Sequence, residues 1–270
     1  MQAKSLVDCH THSSFSMDSQ ADIQDGIVSA INNGLAGLIF TDHLELDNPT
    51  PQNNCFFDFE QRSKILDQAQ ETFAGKAKVL KGVEVGFQPH LANKLSNLIK
   101  GHNFDFVICS THIIDACGLG TNDFYKNKTK KQAYSQYLEA MYHAVDVFND
   151  FDVVGHIGYI CRGAPYQDKS LRYIDYKNQL DKIFKKIIEK DKGIEVNTAG
   201  YFCKLDFPHP DFDSIKRYKE LGGHIITLGS DAHHACRIGD KFDFVVKKLK
   251  EIGFESVSYF ENRKQILVKI

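Results

Sequence analysis

The chain has 270 residues, 42% of them apolar, and a formal net charge of −2. The apolar content is enough for a large core, and the near-balance of charge gives no sign of the broad positive field that nucleic-acid-binding proteins use. No segment approaches the roughly 18–20 apolar residues of a membrane span, and the N-terminus lacks the apolar run of a signal peptide. We therefore expect a cytoplasmic protein without nucleic-acid or membrane partners.

Short apolar segments alternate with helix-like segments along the whole chain. In chain order, the pattern predicts a strand at 5–10, a helix at 22–33, a strand at 36–43, a helix at 58–73, a strand at 79–87, a helix at 90–100, a strand at 104–112, a helix at 130–148, a strand at 153–156, a helix at 176–192, a strand at 193–198, a helix at 211–221, a strand at 224–230, a helix at 241–252 and a C-terminal strand or tail. About seven βα units predict a parallel sheet. Since no linker interrupts them, we expect one barrel-like α/β domain over residues 1–270. A doubly wound open sheet is the alternative, but no GxGxxG motif follows the first strand.

Titratable residues stand at the C-terminal ends of six predicted strands. They are His10 and His12, Asp42 and His43, Glu84, His112, His156, and Asp231 and His233. In a barrel of parallel strands these ends meet on one face, where catalytic residues gather. Residues two apart on a strand project to the same side, so each of the pairs His10/His12 and Asp231/His233 can direct two ligands at one ion.

This ligand chemistry predicts a metal centre with more than one ion. Imidazoles and carboxylates suit zinc, manganese or iron and do not suit calcium. One ion takes about four to six ligands, whereas this face offers about nine candidates, so we expect two or three divalent ions with a carboxylate such as Glu84 as a bridge. Taken alone, Asp18 reads as a loop or cap residue, and His209, which stands between two prolines, reads as a loop residue.

The ordered set of motifs HxH, TDH, a lone Glu, xTH, GHxG and SDAH resembles the polymerase and histidinol phosphatase (PHP) family over nearly the whole chain. The resemblance implies a distorted (β/α)7 barrel of the TIM type with a trinuclear metal site. The chain length, the insertion after Thr41-Asp42-His43 and the segment 110–115 are most similar to the histidinol-phosphate phosphatases of this family.

The resemblance also implies which residues hold each ion. The first ion would be held by His10, His12, Glu84 and Asp231, the second by Glu84, His112 and His156, and the third by Asp18, His43 and His233. Arg162 matches a phosphate-contacting arginine of the histidinol-phosphatase branch. A second arginine usual in that branch is replaced here by Phe202, and Lys204 is the candidate to substitute for it. Arg237, just beyond the seventh strand, is a candidate for a second phosphate contact, with a surface or helix-cap role as the alternative.

The implied activity is the hydrolysis of L-histidinol phosphate to L-histidinol and phosphate, a step of histidine biosynthesis, with a hydroxide held between the ions as the attacking group. Asp42 or a metal-bound water is the candidate proton donor to the leaving alkoxide, and Asp115 is the candidate partner of the substrate ammonium. The alternatives are another phosphorylated metabolite or a phosphodiester as the substrate, and a metal-binding regulatory protein without catalysis. The sequence leaves the oligomeric state open.

Overall fold

Parallel strands with helices between them build the molecule, and the computed structural model describes them over residues 5–270. The strands are β1 (Val7–Thr11), β2 (Gly37–Phe40), β3 (His43–Leu44), β4 (Lys78–Gly86), β5 (Phe106–Ser110), β6 (Ile113–Ile114), β7 (Cys117–Gly118), β8 (Val153–Val154), β9 (Gly193–Asn197), β10 (Ile226–Gly229), β11 (Ser256–Glu261) and β12 (Lys264–Lys269). The helices are α1 (Ile23–Asn32), α2 (Phe59–Thr72), α3 (Ala92–Lys100), α4 (Lys130–Val147), α5 (Tyr173–Glu189), α6 (Phe212–Glu220) and α7 (Phe242–Ile252).

Seven of the strands form a nearly closed barrel in the order β1-β2-β4-β5-β8-β9-β10, and β3 continues the line of β2 beside β4. Every pairing along this path is parallel. The two edges meet where Asp231 N donates to His10 O and His12 N donates to Ala232 O, at 2.8 and 2.9 Å. The predicted (β/α)7 barrel is therefore confirmed.

Burial explains why these segments are strands. All five residues of β5 are buried, and so are all five of β9, because a parallel sheet covered by helices has no solvated face. The helices bury one side only, as in α3, where Leu95 and Ile99 face the core. Within residues 5–270, none of the helices combines the length and the apolar character that crossing a lipid bilayer requires.

The C-terminal segment forms an antiparallel hairpin, β11–β12. The sequence had predicted either a strand or a tail here. The hairpin lies at the amino ends of the barrel strands. Its turn residue Arg263 donates from Nε to Asp152, which precedes β8, at 2.6 Å, and Asn262 N donates to Asp105, which precedes β5. The hairpin is therefore at the end of the barrel opposite to the face on which the titratable residues lie.

Candidate metal centre

The carboxyl ends of the barrel strands bring all nine predicted ligand residues together. His10 lies in β1 and His12 follows that strand. On the other side of the closure, Asp231 follows β10 by two residues. The Nε2 atoms of His10 and His12 are 3.1 Å apart, and His12 Nε2 is 3.2 Å from Asp231 Oδ1. These three side chains thus converge on one point, as expected from the i, i+2 spacing of the histidines.

Glu84 lies at the middle of the cluster. It is fully buried in β4 and is the direct register partner of His43. Its Oε1 is 2.7 Å from His156 Nε2 and 3.2 Å from His112 Nε2, and its Oε2 is 3.3 Å from His10 Nε2. A carboxylate placed between histidines of opposite barrel sides has the geometry of a bridging ligand.

Asp18 joins the cluster from the loop after β1. Its Oδ2 is 3.1 Å from His233 Nε2 and its Oδ1 is 3.5 Å from His43 Nε2. Its side chain is 43% exposed, whereas that of His43 is 8% exposed. Asp18 therefore covers the outer side of the centre. Only the family resemblance, and not the residue pattern, indicated that Asp18 belongs to it.

Several of these groups approach each other without forming hydrogen bonds. His43 Nδ1 lies 2.9 Å from Glu84 Oε2, yet within the described part of the chain neither atom has a hydrogen-bond partner, and the same holds for His233 Nε2. Four groups of three residues place ligand atoms within 4.8 Å of one another: His12, His43 and His233; His10, His12 and Asp231; His10, Glu84 and His156; and His43, Glu84 and His112. Buried polar atoms arranged in this way fit coordination of divalent ions.

The electrostatics of the cluster keep its carboxylates ionised. Burial alone would raise the pKa of Glu84, but His10, His43 and His112 hold the pKa of that carboxyl well below its ordinary value. Burial together with the charges of His233 and His43 lowers the pKa of His12 to about 3, so its imidazole is neutral at physiological pH. Burial would lower the pKa of His10, His43 and His112, but Glu84 and other nearby carboxylates raise it, so these three imidazoles hold protons. Because metal ions bind neutral imidazoles and anionic carboxylates, bound cations would take the place of those protons.

A cavity of about 800 Å³ opens beside the cluster, and it contains most of the predicted substrate residues. Arg162, Lys204 and Arg237 line this cavity together with Asp18, His156 and Asp231. The guanidinium of Arg237 stacks on the ring of Phe202, the residue that stands in place of the second arginine of the family branch. The guanidinium of Arg237, from the loop after β10, thus lies at the position where the resemblance implied an arginine.

Two residues predicted to act on the substrate, Asp42 and Asp115, do not line this cavity. Asp42 is fully buried; its Oδ1 accepts from Ser13 and Ser16, and its Oδ2 accepts from Arg62 Nε at 2.6 Å. Because Arg62 opposes the effect of burial, the pKa of Asp42 is lowered. An ionised carboxylate with both oxygens occupied has no proton to give a leaving group, so the geometry does not support that role.

Asp115 lies in the turn of the β6–β7 hairpin. It lines a separate cavity, and its Oδ2 accepts from Gln136 Nε2 at 2.7 Å. A substrate bound beside Arg162 would not meet this carboxylate, so the geometry gives no support to Asp115 as the partner of an ammonium group.

Three residues at the centre were missed by the sequence reasoning. Glu195 Oε1 lies 2.6 Å from His10 Nδ1, and Glu45 Oε1 lies 3.1 Å from His112 Nδ1. His209, read as a loop residue, is only 3% exposed and lines the 800 Å³ cavity, and burial lowers its pKa to about 3. For Glu195 the sequence carried a signal. It is a lone carboxylate in the apolar segment Gly193–Asn197, and the same signal singled out Glu84.

Comparisons with known proteins agree with this architecture. Residues 8–199 match the family described as the PHP domain. The chain is 30% identical to the histidinol-phosphatase of Lactococcus lactis over 262 residues, which covers 96% of this chain and 95% of that protein.

Solved structures extend the likeness to three dimensions. The crystal structure of histidinol phosphate phosphatase from Lactococcus lactis, complexed with zinc, L-histidinol and phosphate, covers 97% of this chain and 98% of that chain with a TM-score of 0.91 at 30% identity. A structure from Listeria monocytogenes covers 88% of this chain and 99% of that chain with a TM-score of 0.77 at 17% identity, which supports the fold alone. Because the family match spans most of the barrel and the ordered motifs fall on its strand ends, the chain belongs to the PHP family.

Proposed function

We propose that this protein is a metal-dependent phosphomonoesterase that hydrolyses L-histidinol phosphate to L-histidinol and phosphate. The observation that carries the proposal is the convergence of nine imidazole and carboxylate side chains beside a cavity that also contains Arg162. The Lactococcus lactis protein, which is similar over nearly its whole length, was crystallised with zinc, L-histidinol and phosphate. We extend that set of ligands to this chain.

The ligand assignment follows the family pattern. We propose that one ion is held by His10, His12, Glu84 and Asp231, a second by Glu84, His112 and His156, and a third by Asp18, His43 and His233. Bound divalent ions would offset the roughly two negative charges of a phosphomonoester and activate water as a nucleophile near pH 7. The bridging position of Glu84, with one oxygen toward His156 and the other toward His10, supports two ions that share this carboxylate.

The basic side chains of the cavity orient the phosphate in this proposal. Arg162 lines the same cavity as Asp231 and Asp18, and a guanidinium there can bind two phosphate oxygens at once. Arg237, stacked on Phe202, supplies a second positive charge at the same cavity. The missing branch arginine is thus replaced by a cation from another loop, and Lys204 adds a third at the rim.

The test is a phosphate-release assay on purified protein with a measured metal content. We expect two to three equivalents of zinc, manganese or iron, and turnover of L-histidinol phosphate that exceeds turnover of other phosphorylated metabolites and of phosphodiesters. Chelation should abolish turnover, and added metal should restore it. Full activity of the metal-free protein, or faster hydrolysis of a different phosphoester, would contradict the proposal. The cytoplasmic location and the single domain over residues 1–270 remain predictions.

A further inference from the structure

The strand β9 carries a buried carboxylate beneath the metal centre. Glu195 occupies the middle of this strand and its side chain is 1% exposed. Gly229 of the neighbouring strand β10 borders it, and a Cβ atom at Gly229 would collide with its Oε1. The barrel interior is therefore shaped around this carboxylate.

Both oxygens of Glu195 face hydrogen-bond donors. Oε1 lies 2.6 Å from His10 Nδ1. Oε2 accepts from the backbone N–H of His156 at 2.7 Å and from Asn197 Nδ2 at 3.2 Å. A carboxylate is the side chain that can accept hydrogen bonds at both oxygens in this way.

The bond to Nδ1 determines which nitrogen of His10 can bind a metal ion. When Nδ1–H donates to Glu195, the lone pair of the neutral ring is on Nε2. Nε2 is the atom that points at the centre, 3.1 Å from His12 Nε2 and 3.3 Å from Glu84 Oε2. The same carboxylate also holds the backbone at His156, which is a proposed ligand of the second ion.

We propose that Glu195 is a positioning residue of the metal centre, which keeps the His10 proton on Nδ1, directs Nε2 at the ions and ties the end of β8 to the same carboxylate. The inference rests on the metal centre of the proposed function. It assigns a role to a residue that contacts neither the substrate nor the ions and acts through His10 and His156.

The Glu195→Gln variant separates this role from packing. Glutamine has nearly the same shape, but it has one acceptor oxygen and one donor NH₂ group. In either orientation its NH₂ would face the N–H of His10 Nδ1 or that of His156. The backbone N–H of His156 cannot give up its proton, so the NH₂ group should face His10 Nδ1. We therefore expect His10 to move its proton to Nε2, and the affinity for zinc, measured by competition with a chromogenic chelator, to fall by about 10- to 100-fold.

A matched control is Asp211→Asn. Asp211 is also a buried carboxylate that accepts from two backbone N–H groups, those of Ser214 and Tyr173, but it caps α6 and does not line the cavity. This variant should lose thermal stability and keep the zinc affinity. The visible spectrum of the cobalt(II)-loaded protein should change for Glu195→Gln and stay unchanged for Asp211→Asn. Wild-type zinc affinity and an unaltered cobalt spectrum in Glu195→Gln would overturn the proposal.

A measurement on the wild-type protein covers the case in which Glu195→Gln does not fold. Nitrogen-15 NMR of the zinc-loaded protein should find His10 protonated on Nδ1 and metal-bound through Nε2, and metal binding through Nδ1 would overturn the proposal. Wild-type protein that binds zinc and releases no phosphate would contradict the proposed function while these affinity and NMR results still decide the role of Glu195. Wild-type protein that binds no zinc, manganese or iron would overturn both.

Discussion

At the scale of single residues, the cavity combines two kinds of charge. The carboxylates of Asp18 and Asp231 line it together with the guanidiniums of Arg162 and Arg237. The ring of Tyr159 lies between Arg162 and the imidazole of His156, with the guanidinium 5.8 Å from its centroid. Within residues 5–270 the Arg162 guanidinium contacts this ring and pairs with no carboxylate, so its donors are available to a phosphate.

Replacing Arg162 tests this assignment. A charged hydrogen bond to phosphate contributes about 1.5–3 kcal/mol, so Arg162→Ala should lower kcat/KM for the phosphomonoester by about 10- to 100-fold. Arg162→Lys should recover only part of it, because an ammonium cannot bind two oxygens in a fork. Metal content should not change.

The control for Arg162 is Arg172→Ala. Arg172 is 41% exposed, pairs with Asp206 and does not line the cavity, so kcat/KM should stay at the wild-type value. An unchanged kcat/KM in Arg162→Ala, measured by steady-state phosphate release, would remove Arg162 from the site.

At the scale of elements, the apolar segments predicted all seven barrel strands, because buried parallel strands are continuous hydrophobic runs. The orientation of side chains was harder to predict. Asp42 and His43 are adjacent at a strand end, so they project to opposite sides, and only His43 reaches the centre.

The inner carboxylates and His209 depend on contacts that one sequence does not reveal. Glu195 acts across the barrel on His10 of β1, and that neighbour is determined by closure of the barrel. His209 carries the signal of a turn because prolines flank it, but its ring packs against Gly158, where a Cβ atom would lie 2.6 Å from its Nδ1. The positions of these side chains at the site are therefore determined by long-range packing, which local sequence patterns do not show.

The hairpin β11–β12 offers a prediction on stability. Burial raises the pKa of Asp152, and Arg263 opposes that effect. Asp152 is 6% exposed and Arg263 is 30% exposed, so Arg263→Ala leaves a buried carboxylate without its cation and should cost about 1–3 kcal/mol of unfolding free energy. Because the hairpin lies opposite to the metal centre, kcat should not change.

The pH dependence of this effect has a definite sign. Without Arg263 the pKa of Asp152 in the folded protein rises further above its unfolded value, so the folded state binds a proton that the unfolded state has released. The destabilisation relative to wild type should therefore grow as pH rises from about 4, near the ordinary aspartate pKa, to neutral. Urea unfolding of both proteins at pH 5 and pH 8 checks this, and an equal difference at the two pH values would contradict it.

At the scale of the whole molecule, the metal centre joins strand ends from around the barrel. Its proposed ligands lie in or just after β1, β4, β5, β8 and β10, with His43 at the start of β3. Ions bound there would connect segments that are far apart in the chain, in addition to the backbone bonds between β1 and the end of β10. Since the unfolded chain lacks this preformed site, binding of metal adds to the stability of the fold.

Metal removal should therefore lower thermal stability as well as activity. At a free metal concentration of about 1,000 times Kd, binding stabilises the folded state by about 4 kcal/mol, which corresponds to a rise of about 8–16 °C in Tm for a domain of this size. Differential scanning fluorimetry of chelator-treated protein, before and after addition of zinc, measures the rise. Asp231→Asn should lose most of it, whereas His224→Gln, an exposed histidine before β10, should keep all of it. Calcium should give no comparable rise, because imidazole-rich sites disfavour it, and an equal rise with calcium would contradict a site built from these histidines.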